Sequence, residues 1–259
     1  MHMPHPELPP GLADAVRQAH HVVVFTGAGV SAESGIPTFR DALTGLWARF
    51  DPETLATPEA FLRDPAMVWG WYEWRRAEVL AAQPNPAHVA IAHLAQFVPQ
   101  LTVITQNVDD LHERAGSSVV HHLHGRLHGP RCMRCARPYN MPAAAASPAA
   151  AGQSIDPPHC PACRGLVRPG VVWFGESLPE DVWTAAYYAA EHCDLLFSIG
   201  TSGLVSPAAE LPAVAARAGA RVVQVNPAPT PLDGIAAYNL QGPAAQWMPR
   251  VVTAVSPAA

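Results

Sequence analysis

Two cysteine pairs carry the sharpest chemical signal in the chain. Cys132-x-x-Cys135 and Cys160-x-x-Cys163 are the kind of turns that converge four thiolates tetrahedrally on zinc, as in zinc ribbons. The loop between the pairs, residues 136–159, is longer than usual. That costs little, because loop-closure entropy grows slowly with length. Four cysteine ligands leave no open position for water, so the expected metal is one structural Zn2+ and not a catalytic one. Two redox or disulfide pairs are the alternative, and no thioredoxin-like context accompanies them. Cys193, the fifth cysteine, reads as a small buried hydrophobe.

A second candidate site begins at Thr26-Gly27-Ala28-Gly29, which follows four apolar residues, Val22 to Phe25. Small residues directly after a parallel strand let backbone N–H groups approach a phosphate, usually beside a helix N-terminus. The spacing departs from the usual dinucleotide fingerprint. Ala32 fills the third glycine position, and the next glycine is Gly35. No acidic residue ends an obvious second strand about 20 positions on, where a ribose-binding carboxylate belongs. A nucleotide-binding turn and a purely structural tight turn both fit the pattern.

Thirteen histidines make any one of them a weak signal. His121, His122, His124 and His128 crowd one stretch, and 122 and 124 would share a face of an extended segment. A second metal site there lacks an accompanying carboxylate ligand. A single general base is the better functional reading, since an imidazole titrates near neutral pH. Residue physics alone does not say which one. Each remaining histidine reads as a solvated or core side chain.

These groups need elements to hold them. The 259 residues suit one α/β domain, or one with a smaller inserted module. With 49% hydrophobic and 14% charged residues the chain is globular, not disordered. A net charge of −5, with all 16 basic residues Arg and spread along the chain, gives no footprint for nucleic acid or an anionic membrane. No stretch is apolar for long enough to cross a bilayer. The apolar run Val22–Val30 is interrupted by its glycine turn and is no signal peptide. The expectation is a cytoplasmic protein with a peptide or small-molecule partner.

Strands are expected at Val22–Phe25, Leu101–Thr105, Asp194–Ile199 and Arg221–Val225, with Val119–Leu123 and Val171–Phe174 extended. Helices are expected over Leu12–His20, Ala87–Phe97 (with Val89, Leu94 and Phe97 inward), Asp110–Ala115, Glu180–Glu191 and Pro207–Ala218. Between Asp41 and Arg76, prolines 52, 58 and 65 cut an aromatic-rich stretch (Leu46, Trp47, Phe50, Phe61, Leu62, Val68, Trp69, Tyr72) into short helices. The tail after residue 227 reads as a short helix or irregular. Residues 1–10 read as frayed, and the Ala/Pro/Ser run between the cysteine pairs as a loop without order. Repeated strand–turn–helix units imply a doubly wound parallel sheet that binds ligands at its carboxyl rim. The turns at 26–29, 106–109, 200–202 and 226 would all lie there.

Several stretches together resemble the sirtuins, NAD-dependent protein lysine deacylases. They are GAGVSAESGIPTFR (27–40), TQNVDDLHERAG (105–116), HLHG (122–125), the two CxxC pairs, VRPGVVWFGESLP (167–179), GTSGLVSPAAE (200–210) and QVNP (224–227). They span nearly the whole chain in the family's order. The resemblance implies an α/β fold, a Rossmann-like parallel sheet with an inserted zinc-ribbon and helical module. It puts 1–41, 80–126 and 168–259 in the NAD-binding domain, 42–79 in the helical part and 127–167 in the zinc part of a small domain.

By the same resemblance, Gly27, Ala28, Gly29, Ala32, Thr38, Phe39 and Arg40 would wrap the NAD pyrophosphate and nicotinamide ribose. Gln106, Asn107, Val108 and Asp109 would form the nicotinamide pocket, with Asn107 and Asp109 holding the carboxamide. His124 would be the general base acting on the ribose hydroxyls. Gly200, Thr201, Ser202, Asn226 and Ala244 would hold the adenosine side, Asn226 replacing the missing acid. Val172, Trp173, Phe174, Gly175 and Glu176 would pair with an acyl-lysine peptide by strand addition. The implied products are free lysine, nicotinamide and O-acyl-ADP-ribose. A monomer that binds neither nucleic acid nor membrane is the expectation.

The segment LATPEAF…VWGWYEWRR further resembles the sirtuin branch that prefers succinyl-, malonyl- and glutaryl-lysine. Its Tyr-x-x-Arg pair is here Tyr72 and Arg75, one turn apart on a helix. An arginine fork grips a carboxylate and a phenol adds a hydrogen bond. Ala42 leaves room for a larger acyl group. The alternative is that Tyr72 is core and Arg75 solvated. The chain departs from this branch at Gly170 and Ser206, where larger polar residues and Tyr are common, and at Ala244, where some relatives carry Cys. A general lysine deacetylase and a protein mono-ADP-ribosyltransferase are the competing activities. A zinc-ribbon binding module would leave the glycine turn, Gln106–Asp109 and His124 unexplained.

Overall fold

The computed structural model describes residues 7–37, 52–141 and 153–257. Its centre is a six-stranded sheet, all parallel, in the order β3-β2-β1-β6-β7-β8. The strands are β1 (His21–Thr26), β2 (Gln100–Thr105), β3 (Val120–His122), β6 (Leu195–Ile199), β7 (Arg221–Asn226) and β8 (Tyr238–Gln241). β4 (Arg131–Cys132) and β5 (Val167–Arg168) form a separate antiparallel pair. Strand order reverses between β1 and β6, and this is the crevice where such sheets bind ligands.

The apolar runs seen in the sequence exist because the sheet is covered on both faces. Val22 and Val24 of β1 point into one cluster, with α1 (Leu12–Gln18), α6 (Pro86–Leu94) and α10 (Ala244–Val255). Val23 and Phe25 point into the other, against α8 (Glu180–Glu191) and α9 (Leu211–Arg217). Two short helices border the crevice, α2 (Gly29–Ala32) and α7 (Leu111–Arg114).

A third cluster gathers α3 (Pro52–Leu55), α4 (Pro58–Arg63) and α5 (Pro65–Ala81) with Val167, Val171 and Trp173. The prolines that cut this region also begin its helices. Thr57 and Asp64 cap α4 and α5 by accepting from the N–H groups of Ala60 (3.1 Å) and Met67 (3.0 Å), with proline in each first turn. Gly70 lies inside α5 because a Cβ there would meet the Gln153 carbonyl at 2.1 Å. The backbone at this crossing leaves room only for glycine.

Several expectations need correction. The third proline-led helix is 17 residues long, not short. The tail holds both β8 and a 12-residue helix. Val89 faces solvent, and Ala90, Ile91 and Leu94 make the inner face of α6. Leu62 is exposed beside buried Phe61. Val171–Phe174 makes one β-bridge, Gly125 to Val171, and is not a strand. Residues 208–210 form a 3-10 turn ahead of α9. Cys193 is buried as expected, its thiol donating to the Ala190 carbonyl at 3.3 Å. Thr38, Phe39, Arg40, Ala42, Leu46, Trp47 and Phe50, the first six residues and most of the Ala/Pro/Ser run lie outside the described residues.

Candidate active site

The registers Thr26 to Thr105 and Thr26 to Ile199 bring the carboxyl ends of β2, β1 and β6 to one rim. Gly27–Gly29, Gln106–Asp109 and Gly200–Ser202 follow there, and Asn226 ends β7 beside them. The two glycine turns touch each other. Gly27 N–H donates to the Ile199 carbonyl (3.0 Å) and Gly29 N–H to that of Gly200 (2.8 Å). A Cβ on Gly29 would lie 2.7 Å from the Gly200 oxygen, and one on Gly200 (φ +61) would lie 2.4 Å from Val30 N. These glycines are therefore required by the meeting of two turns at the crevice, whatever binds above them. Gln106 closes the rim from the other side, its amide donating to Thr201 Oγ1 at 2.9 Å.

Asn107 and Asp109 converge on a residue that the sequence reading passed over, Ser31 of α2. Ser31 Oγ donates to Asp109 Oδ2 (3.0 Å) and accepts from Asn107 Nδ2 (3.1 Å). Leu111 N–H donates to Asp109 Oδ1 at 3.1 Å. Burial still raises the Asp109 carboxyl above its ordinary range, against the pull of these bonds and of His122. His88 stands 3.4 Å from Ser31 Oγ, and Thr26 Oγ1 is 3.0 Å from His112 Nε2. Burial pushes His88 down to about 4 and His112 to about 3, so both are neutral supports. A polar residue on the buried side of an otherwise apolar turn was the available signal for Ser31.

His124 follows β3 and sits partly buried. Its Nδ1 is 2.9 Å from the Gln106 carbonyl, an acceptor only. Nδ1 therefore carries the proton, and Nε2 presents a lone pair. Burial lowers the pKa of this imidazole, partly offset by the Gln106 bond. Its backbone is clamped: Val172 N–H donates to the His124 carbonyl at 2.8 Å. The glycine after Pro169 has a structural reason, since a Cβ on Gly170 would lie 1.9 Å from the Gly129 oxygen.

On the far side of the rim, Tyr72 and Trp173 are buried. Trp173 Nε1–H donates to Tyr72 Oη at 3.0 Å. An indole only donates, so the phenol proton points elsewhere. Arg75, one turn along α5, has its guanidinium 5.3 Å from the Trp71 ring centroid. Burial raises the Tyr72 pKa and lowers that of Arg75, the latter countered by Tyr72 and Asp109.

The stretch 172–176 departs from a free strand edge. The N–H groups of Val172, Trp173 and Phe174 already donate to His124, Glu176 and Ala56. Glu176 pairs with the buried Arg168, at 2.8 Å for one contact. Gly175, at φ +84, turns the chain beside exposed Phe174. Ala244 opens α10 and is buried, and Ala28 and Val108 are half-buried, whereas Ala32 is exposed. Asn226 spends its amide on the Ala228 carbonyl at 2.7 Å.

The sulfurs of Cys132, Cys135, Cys160 and Cys163 lie within 4.8 Å of one another. The N–H groups of Arg134 and Cys135 aim at Cys132 Sγ, at 3.3 and 3.4 Å. A Cβ on Gly165 would come within 3.2 Å of that sulfur. Four thiols gathered around a cradle kept open by glycine fit a tetrahedral thiolate site for zinc.

A parallel sheet with a strand-order reversal, polar groups around it and a four-cysteine module beside it defines a nucleotide-binding α/β fold. Residues 27–207 match the Sir2 family. An NAD-dependent protein deacylase of Methylococcus capsulatus is 62% identical over 244 residues, covering 94% of this chain and 96% of the relative. NAD-dependent protein deacylase 1 of Pseudomonas aeruginosa is 58% identical over 239 residues, covering 92% and 96%. The solved structure of a Sir2 homologue–NAD complex superposes with a TM-score of 0.88 at 45% identity, covering 98% of this chain and 96% of that one. The chain belongs to the Sir2 family.

Proposed function

We propose that this chain is an NAD-dependent protein-lysine deacylase that favours acyl groups ending in a carboxylate, succinyl and malonyl above all, and also accepts acetyl. The deacylase reading is supported by the names of its relatives and by the fixed tautomer of His124, whose Nε2 can take a proton at the crevice. NAD would supply an electrophilic ribose carbon and a nicotinamide leaving group.

The donor set fits that molecule. Asn107 and Asp109, locked through Ser31, offer a donor and an acceptor suited to a carboxamide. The Asn226 side-chain oxygen can accept from ribose hydroxyls, the task of the absent acid. The turns at 27–29 and 200–202 crowd backbone against the pyrophosphate position. Ala244 at the start of α10 suits the adenine end. His124 holds its lone pair ready and takes a ribose hydroxyl proton, so that oxygen can accept the acyl group. Thr38, Phe39 and Arg40 complete this assignment from the sequence.

The acyl preference rests on Tyr72 and Arg75. Trp173 occupies the phenol oxygen as an acceptor, which frees the phenol proton for a carboxylate. Arg75 adds a fork of the right charge one turn away. Peptide binding along 172–176 would use carbonyls and the Gly175 turn, since the amides of 172–174 are committed. The separate apolar cluster of α3–α5 supports treating 42–79 and 127–167 as a small domain beside the sheet. Among the described residues no helix is long and apolar enough to cross a membrane. The dispersed arginines and net charge of −5 speak against nucleic-acid binding; a cytoplasmic monomer is part of the proposal.

The test is to incubate the chain with NAD and a succinyl-lysine peptide and follow the products by mass spectrometry. Free lysine peptide, nicotinamide and O-succinyl-ADP-ribose in equal amounts are expected. Succinate released without nicotinamide would contradict the proposal.

A further inference from the structure

The crevice is backed by three histidines that are handled in two ways. His88 and His112 are buried against hydroxyl groups and are neutral. His122, two residues before His124 on β3, has different company. Its Nδ1 is 3.1 Å from the Asn107 carbonyl, and its Nε2 is 2.7 Å from Glu113 Oε1 on α7. A carbonyl only accepts, and so does an ionised carboxylate. Burial pushes Glu113 up, but His122 and Arg126 outweigh it and hold Glu113 in the ionised form. The ring must therefore carry both protons to make both bonds.

We propose that His122, as an imidazolium paired with Glu113, is a positioning residue for the nicotinamide pocket, holding the Asn107 backbone in place without touching the substrate. The inference rests on the deacylase reading above. Its physical content is a strut: Asn107 carbonyl, imidazolium, Glu113 and then Arg126 at 3.2 Å. It ties the turn after β2 to α7 and to the loop after β3. The strut also has an electrostatic effect, because the positive ring favours the ionised form of buried Asp109. The groups facing it are Glu113 and His112 from α7, Asp109 and the Asn107 carbonyl from the turn after β2, Arg126 from the following loop, and His121 on its own strand. Arg126 draws on the same carboxylate oxygen, so Glu113 is the group that fixes the charge of the ring.

Losing one proton turns one of the two bonds into a meeting of lone pairs, and it removes the charge beside Asp109. Removing either partner of the ring should therefore loosen the turn that carries Asn107. Glu113→Gln removes the anion that pairs with the imidazolium, so it should weaken the hold on the Asn107 carbonyl.

The test uses the full chain with two readouts. Nitrogen NMR of the histidine rings, with His122 assigned by substitution, should show both His122 nitrogens protonated at pH 7 in the wild type and a loss of that state in Glu113→Gln. Kinetics on an acyl-lysine peptide should show a KM for NAD raised roughly 10-fold in Glu113→Gln and His122→Ala, the scale of one charge-assisted hydrogen bond, with the peptide KM unchanged. The double variant should be no worse than His122→Ala. Should His122→Ala fail to fold, the isosteric Glu113→Gln carries the test. A neutral His122 ring at pH 7, or variants that lower kcat alone and leave the KM for NAD unchanged, overturn the proposal. A wild-type enzyme that releases no nicotinamide overturns the deacylase reading, and this inference with it, whatever the ring shows.

Discussion

The rim of the sheet and the small module reach order by different means. At the rim, position comes from buried polar side chains whose hydrogen-bonding capacity is used in sequence: Asn107 to Ser31, Ser31 to Asp109, His124 to Gln106. In the small module, Phe61, Trp71, Tyr72 and Trp173 pack as aromatic faces, and four cysteines gather around a metal-sized space. Partly satisfied polar networks are costly in a dry interior, so the rim tolerates little substitution. Aromatic packing and a metal clip tolerate more, provided the volume and the metal stay. The proposed chemistry thus sits on the part that tolerates little change, and the proposed acyl choice on the part that tolerates more.

The largest test of this contrast is metal removal. Structural zinc contributes about 10–16 kcal/mol of apparent binding free energy to modules of this type. A chelator should unfold the small module and abolish activity, while far-UV circular dichroism retains a helical and strand signal from the sheet domain. Full structure and turnover without metal would break the comparison.

Next comes His124→Ala. Loss of a general base costs roughly 10²- to 10⁴-fold in turnover, whereas NAD binding, measured by calorimetry, should stay close to wild type. Retained turnover would remove His124 from its role.

pH separates the two kinds of histidine at the rim. His124 is depressed below 6.5 by burial, so its lone pair persists below that pH, and the acid fall in kcat/KM should begin lower than an exposed histidine gives. His88 and His112, folded at about 4 and 3, refuse protons that the unfolded chain accepts below about 6.5. Stability should therefore drop as pH falls from 6.5 towards 4, by about 1.4 kcal/mol per pH unit for each. Denaturant midpoints at pH 7 and pH 5 measure it; equal midpoints would show that these rings are not buried neutral.

The smallest effect belongs to the phenol. Tyr72→Phe should cost the succinyl peptide about 2- to 10-fold in kcat/KM, the scale of a neutral hydrogen bond, and the acetyl peptide nothing. Equal losses on both would mean that Tyr72 acts through packing alone.

Strand runs were legible because burial on both faces leaves an unbroken apolar signature, as in Val22–Phe25 and Leu195–Ile199. The cysteine spacing was legible because metal geometry fixes it. β8 was not, since a strand at the sheet edge alternates and only Leu240 is buried. The histidine proposed as general base, His124, could not be chosen by residue physics from thirteen; motif order selected it. His122 and Glu113 were invisible as a pair because their meeting depends on β3 lying beside β2, and Ser31 meets Asn107 and Asp109 only because β1 pairs with β2; no local pattern encodes either long-range pairing. The fate of the amides at 172–174 was hidden for the same reason.

The central claim is that the proposed chemistry at the rim is aimed at an acidic acyl group by α5. It is tested by kcat/KM for succinyl- and acetyl-lysine versions of one peptide, in wild type and in Arg75→Met. The account predicts that the wild type prefers succinyl, and that the variant loses at least about 100-fold on it, the scale of a bidentate charged contact, while acetyl turnover is unchanged. Equal loss on both peptides, or a wild type indifferent to the acyl carboxylate, would contradict it.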